Sequence, residues 1–339
     1  MDNVKNLNFF RKLYAAYFHN QPLSLEDDLN LSFLNKHKLF PILEYVVRQQ
    51  NLHKEIGLKD YDLISSYCIM LKHKQRLNDI ALVELTNQLR KENIPYALRK
   101  GTTLAQLYHD PSHRISNDID ILVNKKYSKS VQLLLTEIGY TCGFYHHESG
   151  TIQPHKNSTL LKYRMSPDHL PHYTKLVDGI PLVIDVAFTL SWASLKDFLS
   201  TDEILANNSM VAGISQLSPQ HNYLHTLLHL YRECFFLSSL KKRAPYLTSF
   251  IDVVLLNRTK KKYFSTEGEI DTICDHMVKL ADALCQSYLT IENIINQNAY
   301  LSHKNRLIPV NVSFIELMFC SQKNYQIRLA EITSAAGVR

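Results

Sequence analysis

Glycine and proline are scarce in this sequence, with 9 and 11 copies among its 339 residues. Few turn-forming residues favour long helices, so we expect a helix-rich protein. The chain is longer than one small domain requires, and 45% of its residues are apolar, which is enough for a sizeable core. Two or three packed units are therefore expected.

Paired cysteines and long apolar runs are also missing. The six cysteines are scattered without a CxxC pair, which argues against a disulfide framework or a zinc site and indicates reduced core residues. No stretch approaches the roughly 20 apolar residues of a membrane span. The first residues lack the apolar run of a signal peptide. The sequence therefore predicts a cytoplasmic protein without a membrane partner.

A strong excess of charge of either sign is missing as well. The formal net charge is +6, from 38 basic and 32 acidic residues. A mild positive charge fits an anionic ligand such as a nucleotide, but it does not demand nucleic acid, which we do not expect as a partner. Short basic clusters at 241–243 and 260–262 are interpreted as solvated helix ends or loops.

The pattern of apolar residues changes twice along the chain. It predicts a helical region at 1–92, a mixed core at 93–195 and a helical domain at 196–339, which together form an α+β fold. The core is predicted to contain a small mixed sheet with strands at 96–98, 117–123 and 181–188. One short helix is predicted at 103–108.

Helix ends and buried helix faces are also marked in the sequence. Ser24 and Asp27 can form a capping box, and Gly139 stands where a C-terminal cap belongs. Ser218 and Pro219 suit the cap and first turn of another helix. Buried apolar segments or stripes are predicted within 40–47, 81–89, 131–138, 224–231, 247–255 and 273–284.

Asp118 and Asp120 interrupt the apolar strand predicted at 117–123, which reads NDIDILV. Side chains alternate faces along a strand, so the two carboxylates share one face. Buried carboxylates repel unless a cation lies between them, and oxygen ligands suit Mg²⁺. The pair therefore indicates a magnesium site. Taken alone, two such aspartates more often belong to an edge strand or form salt bridges.

A third acid stands in the strand predicted at 181–188, which reads PLVIDVAF. If the two strands pair, Asp185 joins the other aspartates, and three carboxylates can hold two Mg²⁺ ions roughly 4 Å apart for in-line displacement at phosphorus. We expect Asp118 and Asp120 to bind both ions. Asp185 is expected to help activate the attacking hydroxyl.

The turn before these strands suits a phosphate group. Gly101 allows close approach of the backbone, Thr102 adds a hydroxyl donor, and the helix that follows presents free N–H groups. Lys100 and Arg114 are cations near the turn. These four residues form the predicted nucleotide-binding set.

Together these segments resemble the polymerase-beta-type nucleotidyltransferase superfamily, and more closely the bacterial group labelled uncharacterised nucleotidyltransferases. The resemblance lies in KG at 100–101, LAQLY at 104–108, Arg114, DIDILV at 118–123 and IDVAF at 184–188, with similar flanks at 36–46, 82–101 and 217–233. It implies a small nucleotidyltransferase sheet and transfer of a nucleoside monophosphate from an NTP, with ATP as the expected donor. It also implies two Mg²⁺ ions and a hydroxyl-type acceptor on a small molecule, peptide or protein.

By position, the resemblance implies that Gly101 and Thr102 form the glycine turn, that Asp118 and Asp120 are the metal-binding pair, and that Asp185 is the third acid. The chain departs from the superfamily in three places, one of which is Lys100 in place of the usual apolar residue, as in the bacterial subgroup. The gap from Thr102 to Asp118 is longer than in many members. Residue 187 is alanine where many relatives have histidine, which affects the acceptor side more than the metal side.

Other interpretations are a catalytically silent nucleotide-binding or regulatory protein with the same fold, and a nucleic-acid polymerase or tRNA-modifying enzyme. The three acids favour an active enzyme, and the mild charge argues against nucleic acid. His221, His225 and His229 share one helical face and could bind a metal, but we interpret them as a polar flank of the 224–231 stripe. Trp192 is expected to pack, and His172 precedes the third strand.

Overall fold

A computed structural model describes residues 2–25, 29–165, 168–192, 200–258, 269–286, 317–320 and 322–335. The chain divides into two compact units, one formed by Ile69–His225 and the other by Met1–Cys68 with Thr226–Arg339. Helices flank one mixed sheet of eight strands, so the predicted α+β fold is confirmed. The three-part division of the chain stays a prediction.

The helices are, in chain order, α1 Asp2–His19, α2 Leu31–Lys36, α3 Phe40–Gln49, α4 His53–Ile56, α5 Leu58–Lys91, α6 Gly101–Leu104, α7 Ser128–Glu137, α8 Asn157–Met165, α9 Thr201–Ala206, α10 Pro219–Phe235, α11 Leu237–Leu240, α12 Leu247–Arg258, α13 Glu269–Cys285 and α14 Gln322–Ala335. The strands are β1 Tyr96–Leu98, β2 Ile119–Val123, β3 Thr141–His146, β4 Thr151–Pro154, β5 Tyr173–Val177, β6 Ile180–Ala187, β7 Ser209–Val211 and β8 Ile214–Gln216. Within the described residues, no helix combines the length and the apolar character that a membrane span requires.

The sheet lies entirely in the unit Ile69–His225 and has the order β4-β3-β5-β6-β2-β1-β8-β7. The central strands β2 and β6 are parallel, whereas β1 is antiparallel to β2. The pairing places Asp120 directly opposite Asp185. The sequence expectation that the two acid-bearing strands pair is therefore confirmed.

The two faces of β2 and β6 differ. One face contributes Ile119, Ile121, Ile184 and Val186 to a large apolar core under α5 and α7. The other face begins with the aspartates and continues into a smaller apolar cluster that contains Leu122 and Ala187. The large core thus fixes which face of each strand carries the acids.

Most predicted helix signals are confirmed. The stripe at 81–89 is buried, Gly139 follows α7 with φ +88°, and the Ser218 hydroxyl accepts the His221 N–H at the start of α10. The buried segment at 40–47 is α3. The capping box of Ser24 and Asp27 involves a residue outside the described part of the chain.

Three predicted elements have wrong bounds, and one of them, the strand predicted at 181–188, is displaced by one residue to Ile180–Ala187. The helix predicted at 103–108 begins earlier, as α6 at Gly101, because the Lys100 carbonyl accepts the N–H groups of Thr103 and Leu104, and 3₁₀ geometry replaces it at Ala105–Leu107. The strand predicted at 117–123 begins only at Ile119. The Asp118 carbonyl instead accepts the Ser116 hydroxyl at 2.7 Å, so Asp118 lies in the loop just before β2.

His37 is the most deeply buried histidine described in the other unit. Its Nε2–H donates to the Met318 carbonyl at 3.0 Å, and its Nδ1 accepts the Leu247 N–H at 3.3 Å. Burial, reinforced by the nearby charge of Lys36, lowers the pKa of His37 to about 3. The ring is therefore a neutral tautomer with both nitrogens hydrogen-bonded.

Candidate active site

The three aspartates come together at one end of β2 and β6. One carboxylate oxygen each from Asp118, Asp120 and Asp185 lies within 4.8 Å of the others. Asp120 and Asp185 are buried, whereas Asp118 is partly exposed. Within the described residues, this is the one group of three or more His, Cys, Asp or Glu side chains close enough to hold a metal ion.

Gly101 positions the loop that carries Asp118. A Cβ atom at residue 101 would lie 2.6 Å from the Ser116 Oγ, which is closer than real contacts allow. That hydroxyl in turn donates to the Asp118 carbonyl. Glycine is thus required for packing at this turn, and the predicted approach of a phosphate to Gly101 stays a prediction.

Arg99 lies among the aspartates and was missed by the sequence reasoning. Its side chain is 1% exposed, and its Nη2 lies 3.0 Å from Asp185 Oδ2 and 3.5 Å from Asp120 Oδ1. The Arg99 N–H donates to the Asp120 carbonyl, which extends the pairing of β1 with β2. The signal was available, because alternation along β1 puts Arg99 on the same face as Ala97 and hence as the acids.

Lys100 would point to the opposite face if β1 continued regularly. Instead its backbone adopts φ +56° and ψ −127°, a conformation that is unfavourable for a residue with a Cβ. This turn lets Lys100 Nζ reach Asp120 Oδ1 at 2.8 Å. The strained turn therefore places a second cation beside the same carboxylate as Arg99.

His169 was also missed, and it pairs with Asp185. Its Nδ1 lies 3.2 Å from Asp185 Oδ1, and residue 169 forms an antiparallel bridge with Ala187. Opposed residues in such a bridge share a face, so His169 lies on the side of β6 that carries Asp185. Residue 187 itself is alanine, but His169 places a histidine beside Asp185 from a neighbouring segment.

His225, on α10, contacts the Arg99 guanidinium. Its Nδ1–H donates to the Leu190 carbonyl at 2.8 Å, which leaves a lone pair on Nε2 facing Arg99 Nη1 at 3.5 Å. His221 lies 3.0 Å from the Ser218 hydroxyl, and His229 contacts Arg232 and Glu233. This geometry agrees with the interpretation of these histidines as polar groups beside the apolar stripe and gives no support to a histidine metal site.

The two facing carboxylates differ in their protonation. Burial and the neighbouring Asp118 raise the pKa of Asp120 to about 7, against the opposing effect of Lys100 and Arg99. Burial alone would also raise the pKa of Asp185, but Arg99 and His169 outweigh it and hold that pKa well below its usual range. Asp185 is therefore ionised at neutral pH.

The remaining members of the predicted nucleotide-binding set lie around this centre. Thr102 is in α6, directly after Gly101. Arg114 follows the 3₁₀ turn Pro111–His113, where its Nη1 donates to the Ile115 carbonyl at 2.8 Å. Lys100 contacts a site aspartate, Asp120.

The residues fit a divalent ion by the chemistry of their donors. The three side chains offer only oxygen, which Mg²⁺ prefers. Asp118 and Oδ2 of Asp120 make no side-chain hydrogen bond or ion pair with the described residues, and the charge of Asp118 acts on Lys74. The fit is good at Asp118 and Asp120, and Arg99 already occupies the space between Asp120 and Asp185.

The mixed sheet and the clustered acids define the class of protein, an α+β nucleotidyltransferase fold. The chain belongs to the family described as "Uncharacterised nucleotidyltransferase", whose model matches residues 24–285. The resemblance noted in the sequence is thereby confirmed.

Comparison with solved structures finds an antigenic nucleotidyltransferase-like protein from Paracoccidioides brasiliensis. It is 18% identical, with a TM-score of 0.34 over 61% of this chain and 91% of that chain. At so low a score, the likeness adds nothing to the assignment of the site. No curated protein matches this chain.

Proposed function

We propose that this protein is a Mg²⁺-dependent nucleotidyltransferase. It would move a nucleoside monophosphate from an NTP, with ATP as the first donor to test, to a hydroxyl-type acceptor on a small molecule, peptide or protein. The acceptor oxygen would bond to the α-phosphorus while the bond to the leaving pyrophosphate breaks. The proposal is carried by three carboxylates within 4.8 Å, on and beside paired strands, in a chain of a nucleotidyltransferase family.

Asp118 and Asp120 would hold the metal that accompanies the triphosphate. When bound, Mg²⁺ would neutralise charge on the phosphate oxygens and make the α-phosphorus more susceptible to attack. Lys100 would contact phosphate oxygens, because its side chain is 17% exposed and flexible. The sequence predicts two ions. The number that the site can hold depends on Arg99, because Arg99 contacts both Asp120 and Asp185.

Asp185 would act on the acceptor. Arg99 and His169 hold its carboxylate in one orientation and keep it ionised. An ionised carboxylate can accept a hydrogen bond from the acceptor hydroxyl and direct its oxygen towards phosphorus. Gly101, Thr102 and Arg114 complete the proposed nucleotide-binding set.

The direct test is incubation of the protein with each of the four NTPs, labelled at the α-phosphate, with Mg²⁺ and with extracts of host metabolites and peptides. Mass spectrometry should find an acceptor heavier by one nucleoside monophosphate, with release of pyrophosphate. EDTA and Asp118→Asn should each abolish both signals. Asp202→Asn, which changes an exposed carboxylate on α9, is the matched control and should retain them.

The second candidate is a nucleotide-binding protein without turnover. It is favoured by one observation, the presence of Arg99 and Lys100 on two of the three carboxylates, since these cations neutralise the acids without any metal. A protein of this kind would bind an NTP in calorimetry yet release no pyrophosphate with any acceptor or with water. That combination of results would replace the enzyme by the silent relative.

A further inference from the structure

The position of Arg99 determines how many divalent ions the carboxylates can share. Its Nη2 lies 3.0 Å from Asp185 Oδ2 and 3.5 Å from Asp120 Oδ1, and these two aspartates face each other on neighbouring strands. An ion shared by the same two oxygens would have to lie in the same space. The guanidinium therefore occupies the place of a second ion.

The carboxylate oxygens differ in their described partners. Both oxygens of Asp185 are engaged, Oδ2 by Arg99 and Oδ1 by His169 at 3.2 Å. The Asp118 carboxylate and Oδ2 of Asp120 make no hydrogen bond or ion pair with the residues that the structure describes, although the charge of Asp118 acts on the nearby Lys74. One ion would therefore find ligands at Asp118 and Asp120, whereas each oxygen of Asp185 already has a cationic or histidine partner.

Arg99 cannot easily leave this position. Its side chain is 1% exposed, and a guanidinium stays protonated throughout the pH range of a folded protein. His225 presents its Nε2 lone pair to Arg99 Nη1 from behind. A divalent ion between Asp120 and Asp185 would be repelled by this fixed charge.

Lys100 is placed differently. It contacts the same Asp120 Oδ1, at 2.8 Å, but from a side chain that is 17% exposed. A flexible lysine at this edge can move to a phosphate oxygen and release its carboxylate. The two internal cations are thus unequal: Arg99 is permanent and Lys100 is replaceable.

We propose that this site takes one divalent ion, held by Asp118 and Asp120, and that Arg99 supplies the second positive charge. The inference rests on the proposed function and replaces the sequence expectation of two ions. Arg99 is a positioning residue in this scheme, because it acts by fixing and neutralising Asp185.

The test is a count of bound Mn²⁺ by electron paramagnetic resonance, first with the metal alone and then with a non-hydrolysable ATP analogue. The wild-type chain should bind one ion in each case, without the spectrum of a coupled manganese pair. Asp118→Asn should weaken Mn²⁺ binding at least ~10-fold, the scale on which perturbed metal sites lose affinity. Asp185→Asn should leave both the count and the affinity close to wild type.

Asp202→Asn serves as the control for loss of a carboxylate and should match wild type. Arg99→Gln should raise the count to two, because the two facing carboxylates would then lose the cation that they share. Since loss of a buried cation threatens folding, the wild-type count and Asp185→Asn decide the matter without that variant.

A wild-type count other than one, a coupled pair in the complex, or loss of the ion in Asp185→Asn would overturn the inference. The count with metal alone needs no nucleotide. Absence of transfer from every NTP would therefore defeat the proposed function and still leave the count to decide this inference.

Discussion

Three polar side chains are almost completely buried: Asp120 and Asp185 in one compact unit, and His37 in the other. They differ in whether the side chain is charged. His37 is neutral, and backbone groups satisfy both of its ring nitrogens. Asp185 keeps its charge, and it requires Arg99 and His169 to do so.

The difference separates a structural polar residue from a candidate functional one. A neutral ring carries no charge to be desolvated, and its two hydrogen bonds satisfy both buried nitrogens, so it needs no further partner. A buried cluster of acids and cations lowers the free energy of unfolding unless its members pair well, because burial removes water from each charged group. Such a cluster is therefore expected where charge has a function, and changes in the two regions should have different consequences.

The largest effect is expected from Asp120→Asn. Removing one of the two proposed metal ligands should lower the rate of transfer at least ~1000-fold, equivalent to several kcal/mol of charge stabilisation at the phosphate. The fold should persist, because one of three neighbouring negative charges is removed. Single-turnover transfer and urea unfolding on the same preparation measure both quantities, and full activity with a demonstrated Mg²⁺ requirement would contradict the assignment.

Arg99→Met should lower the free energy of unfolding by about 3–5 kcal/mol, because two buried carboxylates lose their shared counter-ion. Arg48→Met is the control. It removes an exposed arginine that contacts Glu44 at 3.6 Å, a type of pair worth about 0–1 kcal/mol. Equal losses in the two variants, measured by urea unfolding, would show that the buried cation has no special role.

Asp185→Asn should bind ATP with Mg²⁺ almost as well as wild type but transfer at least ~100-fold more slowly, as expected when assistance to the attacking hydroxyl is lost. The measurement pairs a binding titration with single-turnover kinetics. Normal turnover in this variant would remove Asp185 from the acceptor side of the site.

The smallest effect concerns His37 and pH. Its folded pKa, about 3, lies below the ordinary value of 6.5, so the unfolded chain binds more protons between these limits. The free energy of unfolding should therefore fall as pH drops through this window, by at most about 1.4 kcal/mol per pH unit from this residue. His37→Gln, which can keep a donor and an acceptor, should follow wild type above pH 7 and show a shallower fall below pH 6.5. An unchanged slope would mean that His37 does not titrate on unfolding.

The sequence was sufficient to predict the pairing of β2 with β6 and the meeting of the three aspartates, because alternation and apolar flanks determine which face is buried. It was insufficient for Arg99, although the alternation that starts at Ala97 pointed to the correct face. Lys100 could not be placed, since its positive φ redirects a side chain that regular alternation sends elsewhere. His169 required knowledge of a bridge to Ala187, which is a contact between distant segments.

The register of β2 with β6 also bears on folding. Asp118 and Asp120 precede Asp185 by a long stretch of chain that includes α7, β3, β4, α8 and β5, and parallel pairing of distant strands is entropically slow. An ion held by Asp118 and Asp120 would need only the local turn and β2, whereas the ion pair of Arg99 with Asp185 forms only after closure of that whole segment. Under the proposed function, we therefore expect metal affinity to arise early in refolding and the acceptor side of the site to form late.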